Sequence, residues 1–422
     1  MKLSQYVKII NSDNINTKIL CHTLNRTIIT LDEKYFINDN SINEELLSKI
    51  ELEYLIKKNF FSNNVQKYLD ATVNLKRKYT TITINVTEHC NLKCPYCYQN
   101  NFENEGTLTS KSINIIIDYI ESVMRNGEQN FYIYFFGGEP LLYKNKILEI
   151  KSKIEQIPKI NVIFGIGTNS YLLTPEFLNE FNHIIIDTVL TLKEDQDIMR
   201  PTKGGNGTYD KIINNLREAS KLKNITLNIG YNTHNGNLYD FENFLKLLNQ
   251  EQIKANIECY YLDNYDFNLN FNNTLNYDDF LKWKSSIAIR LLIKYGFSIK
   301  GSPFVPYNFE CDGYNEWSIK LFSDTSLGIC NATHYNKRIK WNSALKHENI
   351  AKHLQQKISN FKENKSKFNS QCQNCSLIGL CKGKIYCHDE LCKPMDSYDF
   401  DTFINEYIYQ TKIGNAKFFT SI

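Results

Sequence analysis

The sequence predicts an α/β protein. Its centre is a partial (β/α)6 barrel, followed by an irregular Cys-rich C-terminal domain and preceded by a small α+β N-terminal domain. Three observations predict this. Six β-branched and aromatic runs alternate with amphipathic helical stretches between residues 80 and 262. Polar and Gly-rich signatures follow the carboxyl ends of successive runs, where α/β barrels place their sites. Six units are too few to close an eight-stranded barrel, so the barrel is expected to be open, with a wide lateral mouth.

The strand candidates are TTITINVT (80–87), NFYIYFF (130–136), NVIFGIG (161–167), IIIDTVLTL (184–192), ITLNIGYN (225–232) and NIECYYL (256–262). Between them, SKSINIIIDYIESVMRNG spaces its apolar residues helically and stops at Gly127. TPEFLNEF offers Thr174 as N-cap and Pro175 at the first helical position. GTYDKIINNLREASKLK and NLYDFENFLKLLNQEQ are similarly amphipathic. Residues 274–297 read as a helix ended by Gly296. The expected domains are 1–79, with a strand pair around TKILCHTLNRTIITLD; 80–273, the barrel; 274–395, the Cys-rich domain; and 396–422, a helical tail.

The 422 residues carry 49 basic and 46 acidic side chains, net charge +3. Such a balance gives no electrostatic case for nucleic acid or an anionic membrane as partner. MKLSQYVKII lacks the apolar stretch of a signal peptide, and no apolar run is long enough to span a bilayer. The expectation is a cytoplasmic protein. The 12 cysteines then favour metal or cluster ligation over disulfides.

Cys90, Cys94 and Cys97 occupy one short turn, TEHCNLKCPYCYQ, directly after the first strand. Three thiolates at this spacing suit three corners of a cubane cluster and leave the fourth iron without a protein ligand. The competing reading is a structural zinc loop. Zinc closes its shell with four ligands, however, and His89 is adjacent to Cys90 and badly placed to chelate.

CNLKCPYC resembles the signature of the radical S-adenosylmethionine (SAM) superfamily, Cys-x3-Cys-x-aromatic-Cys, with Tyr96 as the aromatic. FFGGEPLL resembles that family's GGEP motif, and TNS stands where TNG is common. The resemblance implies a [4Fe–4S] cluster on Cys90, Cys94 and Cys97. It implies a SAM site with Tyr96, Gly137, Gly138, Glu139 and Pro140, the last four at the methionine amino group. Thr168, Asn169, Ser170 and Thr191 would meet the rest of the cofactor. Ser170 and Thr191 replace the commoner Gly and Ser. The run VLTLKEDQDIMRP is shorter than usual, so no role is carried over to Arg200.

The later cysteines resemble a SPASM extension. Cys372, Cys375 and Cys381 keep its x2 and x5 gaps, while the gap from Cys381 to Cys387 holds five residues and not three. The resemblance implies two auxiliary [4Fe–4S] clusters. Cys311, Cys330 and Cys387 would hold the nearer, which lacks one protein ligand; Cys259 and His334 are candidates for it. Cys372, Cys375, Cys381 and Cys392 would hold the outer. A zinc knuckle is the competing reading of the same cysteines.

What the resemblance implies overall is a radical SAM peptide maturase. Reductive cleavage of SAM gives a 5′-deoxyadenosyl radical, which takes hydrogen from a ribosomally made precursor peptide and leads to a thioether or C–C crosslink. The partners would be that peptide and a one-electron reductant such as flavodoxin or ferredoxin. Residues 1–79 would recognise a leader peptide or cap the barrel. The first alternative is a sulfatase-maturing, formylglycine-forming enzyme. Those relatives carry Asp directly after the extension's second cysteine, where this chain has Asn331. A second alternative is a non-catalytic cluster electron carrier or zinc scaffold.

Overall fold

The computed structural model describes residues 1–12, 16–25, 27–63, 79–101, 106–125, 127–262, 275–300 and 318–328, with Ile404 and Phe418–Phe419. The expected auxiliary ligands Cys311, Cys330, Cys372, Cys375, Cys381, Cys387 and Cys392, and with them His334 and Asn331, lie outside the described residues.

Strands β1 (Val7–Asn11), β2 (Thr17–His22) and β3 (Thr27–Asp32) form an antiparallel sheet in that order. The β2–β3 hairpin is the anticipated strand pair, with Thr17 opposite Asp32. A second hairpin, β4 (Phe36–Asn38) and β5 (Ser41–Ile42), leads to helix α1 (Lys49–Lys57). A capping box starts α1: the Ser48 side chain accepts from the Glu51 N–H, and the Glu51 carboxylate accepts from the Ser48 N–H. The strand period of two gives β2 two apolar faces. Leu20 joins a small core with Leu3, Ile42, Leu55 and Phe60, while Ile19 and Cys21 join the main core. The N-terminal segment therefore has a core of its own and also docks on the barrel.

The six expected strands are all present and lie side by side in chain order, every pair parallel. They are β6 (Thr80–Thr87), β7 (Asn130–Gly137), β8 (Asn161–Gly167), β9 (Ile184–Val189), β10 (Ile225–Thr233) and β11 (Asn256–Tyr261). The connecting helices are α2 (Ser110–Arg125), α3 (Lys144–Glu155), α4 (Pro175–Asn179), α5 (Lys193–Met199), α6 (Tyr209–Ala219) and α7 (Phe241–Gln250). Gly127, at φ +99, follows α2, and the Thr174 side chain caps α4 through the Phe177 N–H. The helix expected over 274–297 is α8 (Tyr277–Trp283) and α9 (Ile289–Lys294), joined by a π-helical turn at Lys284–Ala288. Gly296, at φ +77, follows it as anticipated.

The sheet extends beyond the six units. Among the described residues, the strands β12 (Ile299–Lys300), β13 (Ser318–Leu321), β14 (Leu327–Gly328) and β15 (Phe418–Phe419) bring it to ten, in the order β14-β13-β6-β7-β8-β9-β10-β11-β12-β15. Of these described strands, β14 alone runs antiparallel. A six-stranded open barrel presents two edges of unpaired N–H and C=O groups, and these short strands cover them. Two to four residues carry no readable periodicity, so the additions were not anticipated. Within the tail expected to be helical, Phe418–Phe419 is a strand.

Each barrel strand has an apolar outer face and a different inner one. Ile82, Ile84 and Val86, then Phe131, Ile133 and Phe135, pack outward with the helices. The opposite positions are Thr83 and Asn85, Tyr132 and Tyr134, Gly165 and Gly167, Asp187, Asn228 and Gly230, Glu258 and Tyr260. Burying one large apolar side chain contributes about 1.5–3 kcal/mol, so the outer layer holds the barrel. The inner face is left for other work.

Candidate active site at the carboxyl ends of the strands

The chain turns from β6 straight into the cysteine loop. Thr87 Oγ1 accepts the His89 N–H at 3.1 Å and fixes that turn. The Gly137–Glu139 run clamps onto it: the Gly138 N–H donates to Thr87 O, and the Glu139 N–H to His89 O, each at 2.8 Å. A Cβ on Gly137 would lie 2.2 Å from Thr87 O, and one on Gly138 would lie 2.3 Å from His89 O. Gly137 is also at φ +131. Both positions require glycine because the backbones touch.

Glu139 is fully buried. Its Oε1 accepts from the Leu141 N–H at 2.9 Å and from Thr168 Oγ1 at 2.7 Å, and its Oε2 accepts from the Asn169 N–H at 2.7 Å. Burial raises its carboxyl above the usual range, and the donated hydrogen bonds oppose that rise. Pro140 begins a 3-10 turn, Pro140–Tyr143, which Glu139 caps and in which Pro140 and Leu141 are buried. The motif thus ties the end of β7 to the end of β8.

Asn169 points at the cysteines. Its Nδ2 donates to Asn91 Oδ1 at 2.8 Å and lies 3.8 Å from Cys90 Sγ. The Leu92 N–H donates to the same sulfur at 3.4 Å. Ser170 turns away: at φ +63, fully buried, it donates from Oγ to Thr188 Oγ1 at 2.8 Å. That backbone explains why glycine is common in its place. Thr168 is committed to Glu139. Thr191 is buried, with its N–H on Gln196 Oε1 at 3.2 Å.

Beside the cysteine loop lies a pocket lined by Tyr96, Thr191, Asp195, Arg200, Asn232 and His234, with Val189, Met199 and Leu262. Tyr96 packs against Met199 and Leu262. Arg200 is buried and donates to the Val189 carbonyl, yet its Nε has no partner. Burial would lower its pKa, but the charges of Tyr96 and Cys94 outweigh that and raise it. Buried guanidinium groups need such compensation. Arg200 therefore belongs to the site, although the short run before it concealed this. Asp195 is held by His234 Nε2 at 2.8 Å and by Asn237 Nδ2 at 3.2 Å. Burial alone would raise Asp195, but these partners keep it below the usual carboxylate range. Cys259 lies in the main core, and burial pushes its thiol up to about 12. That placement does not suit a cluster ligand.

Residues 84–248 match the model of the radical SAM superfamily. This segment is a radical SAM domain. The chain is 23% identical over 245 residues to the radical SAM cyclopropyl synthase TigE of Paramaledivibacter caminithermalis, covering 52% of this chain and 50% of that one. It spans about half the length of the first curated relatives it matches. In fold it resembles native anSMEcpe with bound AdoMet and the Cp18Cys peptide: TM-score 0.61, 17% identity, 79% of this chain and 99% of that chain. It likewise resembles Streptococcus suis SuiB bound to the precursor peptide SuiA: TM-score 0.53, 16% identity, 91% of this chain and 95% of that chain.

The domain implies a [4Fe–4S] cluster and SAM. The residues present fit in kind. Three thiols outside any disulfide share one loop, N–H groups of Leu92 and Asn169 face a sulfur, and Arg200 offers an unpartnered N–H in the adjoining pocket. Hydrogen bonds to ligand sulfurs tune such clusters. Among the described residues, no three His, Cys, Asp or Glu side chains are gathered to hold a single metal ion, so the fit rests on donor type and order. Also among the described residues, no helix is long and apolar enough to cross a membrane.

Proposed function

We propose that the chain modifies a ribosomally made precursor peptide by radical chemistry and installs a thioether or C–C crosslink. The observation that carries the reading is the strand-end site of the radical SAM domain, opening over the lumen of an open-ended parallel sheet. The solved structures of like fold include two with a bound peptide. When bound, the cluster and SAM supply a 5′-deoxyadenosyl radical. In this reading Cys90, Cys94 and Cys97 hold the cluster. Gly137, Gly138, Glu139 and Pro140 offer carbonyl and carboxylate oxygen to the cofactor's amino group. Thr168, Asn169 and Thr191 frame its nucleoside end beside Tyr96 and Arg200, while Ser170 shapes the turn. Cys311, Cys330 and Cys387, with Cys372, Cys375, Cys381 and Cys392, hold two auxiliary clusters in residues 274–395. A reductant such as flavodoxin or ferredoxin supplies the electron. Residues 1–79 bind the leader of the precursor as an added strand on an edge of the β1–β3 sheet.

The test is anaerobic reconstitution with iron and sulfide, reduction in the presence of SAM, and mass spectrometry of a co-expressed Cys-rich precursor encoded beside the gene. The expected results are 5′-deoxyadenosine and loss of two hydrogens from the peptide. An Ala variant at Cys90, Cys94 and Cys97 together that still forms 5′-deoxyadenosine would overturn the reading. Retained precursor binding after deletion of residues 1–75 would overturn the leader role alone.

A second reading is formylglycine formation in a sulfatase. It is favoured by similarity to the Cys-type anaerobic sulfatase-maturating enzyme of Clostridium perfringens, 24% identical over 327 residues and 85% of that enzyme. Asn331 in place of the expected Asp weighs against it. Turnover of a sulfatase-motif peptide, and not of the precursor, would decide for it.

A further inference from the structure

The cysteine loop is braced by a short antiparallel ribbon. The Lys93 N–H donates to Pro201 O at 2.8 Å and the Lys203 N–H to Asn91 O at 3.0 Å, with Leu92 opposite Thr202. Side chains alternate across such a ribbon. Leu92 is buried, while Lys93 and Lys203 are exposed and stand diagonally on the other face. Neither ammonium group has an ion-pair partner among the described residues.

The surface around these lysines is low and carries no negative charge of its own. Pro95, Gly204, Gly205, Asn206 and Gly207 are exposed there, and a Cβ on Gly205 would stand in open space. No Asp or Glu occurs in residues 89–101 or 200–208, in a chain whose 49 basic and 46 acidic side chains nearly balance. Asp197 and Asp210, which flank the second stretch, are both paired with Lys193. The same ribbon is bonded to the sulfurs. The Leu92 N–H donates to Cys90 Sγ at 3.4 Å, Lys93 precedes Cys94, and the Arg200 side chain hydrogen-bonds Cys94. All three thiols are partly exposed.

We propose that the Lys93–Lys203 face is where the electron donor docks, and that this donor is a small acidic electron-carrier protein. Exposed lysines attract an acidic partner and fix its orientation more than they add affinity. The small Pro and Gly residues let its redox centre come close to the sulfurs, and electron transfer slows steeply with distance. In the step, the reduced carrier loses one electron and the [4Fe–4S] group on Cys90, Cys94 and Cys97 gains it; no bond breaks and no proton moves. The inference rests on the radical SAM domain and on the electron-carrier role proposed above.

The test uses the full cluster-reconstituted protein and two probes, an acidic [2Fe–2S] ferredoxin and a flavodoxin. Calorimetry measures the binding of each at low and high salt. Formation of 5′-deoxyadenosine is followed with each carrier, and separately with photoreduced deazariboflavin, a small uncharged donor that needs no docking face. Lys93→Glu combined with Lys203→Glu should weaken carrier binding about tenfold at low salt and far less at high salt, where exposed charges are screened. Turnover driven by deazariboflavin should not change. Lys223→Glu combined with Lys254→Glu makes the same charge change at exposed positions before the amino ends of β10 and β11, and should alter neither. If the first combination takes up less iron, Lys93→Gln with Lys203→Gln replaces it, with a smaller effect of the same sign. Unchanged carrier binding after the Lys93 and Lys203 changes overturns the proposal, as does an equal loss of turnover with carrier and with deazariboflavin. Loss of precursor binding with carrier binding kept would assign the face to the peptide and overturn it too. If deazariboflavin yields 5′-deoxyadenosine but neither carrier binds, the docking proposal falls and the radical reading stands; if no donor yields it, the radical reading itself falls.

Discussion

Glu139 Oε2 accepts the backbone N–H of Asn169 at 2.7 Å, across the gap between the ends of β7 and β8. Asn169 in turn reaches Cys90 Sγ and Asn91 through one amide nitrogen. A single buried carboxylate therefore sets the position of the side chain that touches the cysteine loop.

Glu139→Gln replaces an acceptor facing three donors with a group that is itself half donor. The expected loss is about 1–3 kcal/mol of stability, together with weaker SAM binding. Thermal unfolding and SAM titration check the two effects separately. Unchanged SAM affinity would count against a positioning role for Glu139.

Gly138→Ala drives a Cβ into His89 O, one residue before Cys90. The backbone on both sides is hydrogen-bonded, so the clash cannot be relieved by a side-chain rotation. The cysteine loop should shift and cluster incorporation should fall. Iron content and visible absorbance after reconstitution measure this. Gly204→Ala is the control, since a Cβ there would meet only the side chains of Asn206 and Thr202, at 3.8 and 3.9 Å.

Ser170 combines a left-handed backbone with a buried hydrogen bond to Thr188. Ser170→Gly relieves the strain and loses the bond, two effects of about 1 kcal/mol each and opposite sign. Ser170→Ala keeps the strain and orphans the Thr188 hydroxyl. The Ala variant should therefore be the less stable of the two by about 1 kcal/mol, read from denaturant midpoints. The reverse order would contradict the strain assigned to the left-handed Ser170 backbone.

Asp195 has a folded-state pKa below its ordinary value of 3.8, because the His234 and Asn237 contacts outweigh burial. Its contribution to stability is present above that value and is lost as pH falls through the lower folded value. Asp195→Asn should remove this part of the acid dependence, leaving a flatter stability profile below pH 3.8. Parallel profiles for the two proteins would contradict the assignment.

Cys259→Ala should leave the iron content of the reconstituted protein unchanged, because the thiol lies in the apolar core with Ile257 and Ile229. A modest loss of stability is expected from the small cavity. A fall in iron would reinstate this thiol as a ligand.

Much of the barrel was legible in the chain. Strands β6 and β8 coincide with the runs TTITINVT and NVIFGIG, and the other four differ only at their ends. The reason is that the two-residue period and the β-branched content are local properties that tertiary packing here reinforces. The cysteine loop, GGEP and TNS were legible as motifs because each compresses its chemistry into a few consecutive residues.

What the sequence by itself determined is therefore the parallel α/β frame, the order of its units and the loops that carry the cysteines and glycines. Tertiary structure alone decided which groups meet. It brought Arg200 and His234 to the pocket, turned Ser170 away to Thr188, and sent Cys259 into the core. It also seated the rings of Tyr132, Tyr134 and Tyr260 over glycines of neighbouring strands and added edge strands from distant residues. Periodicity reports only which face of a strand a side chain occupies. Which residue lies opposite on the next strand depends on register, and register is fixed by contacts between residues far apart in the chain.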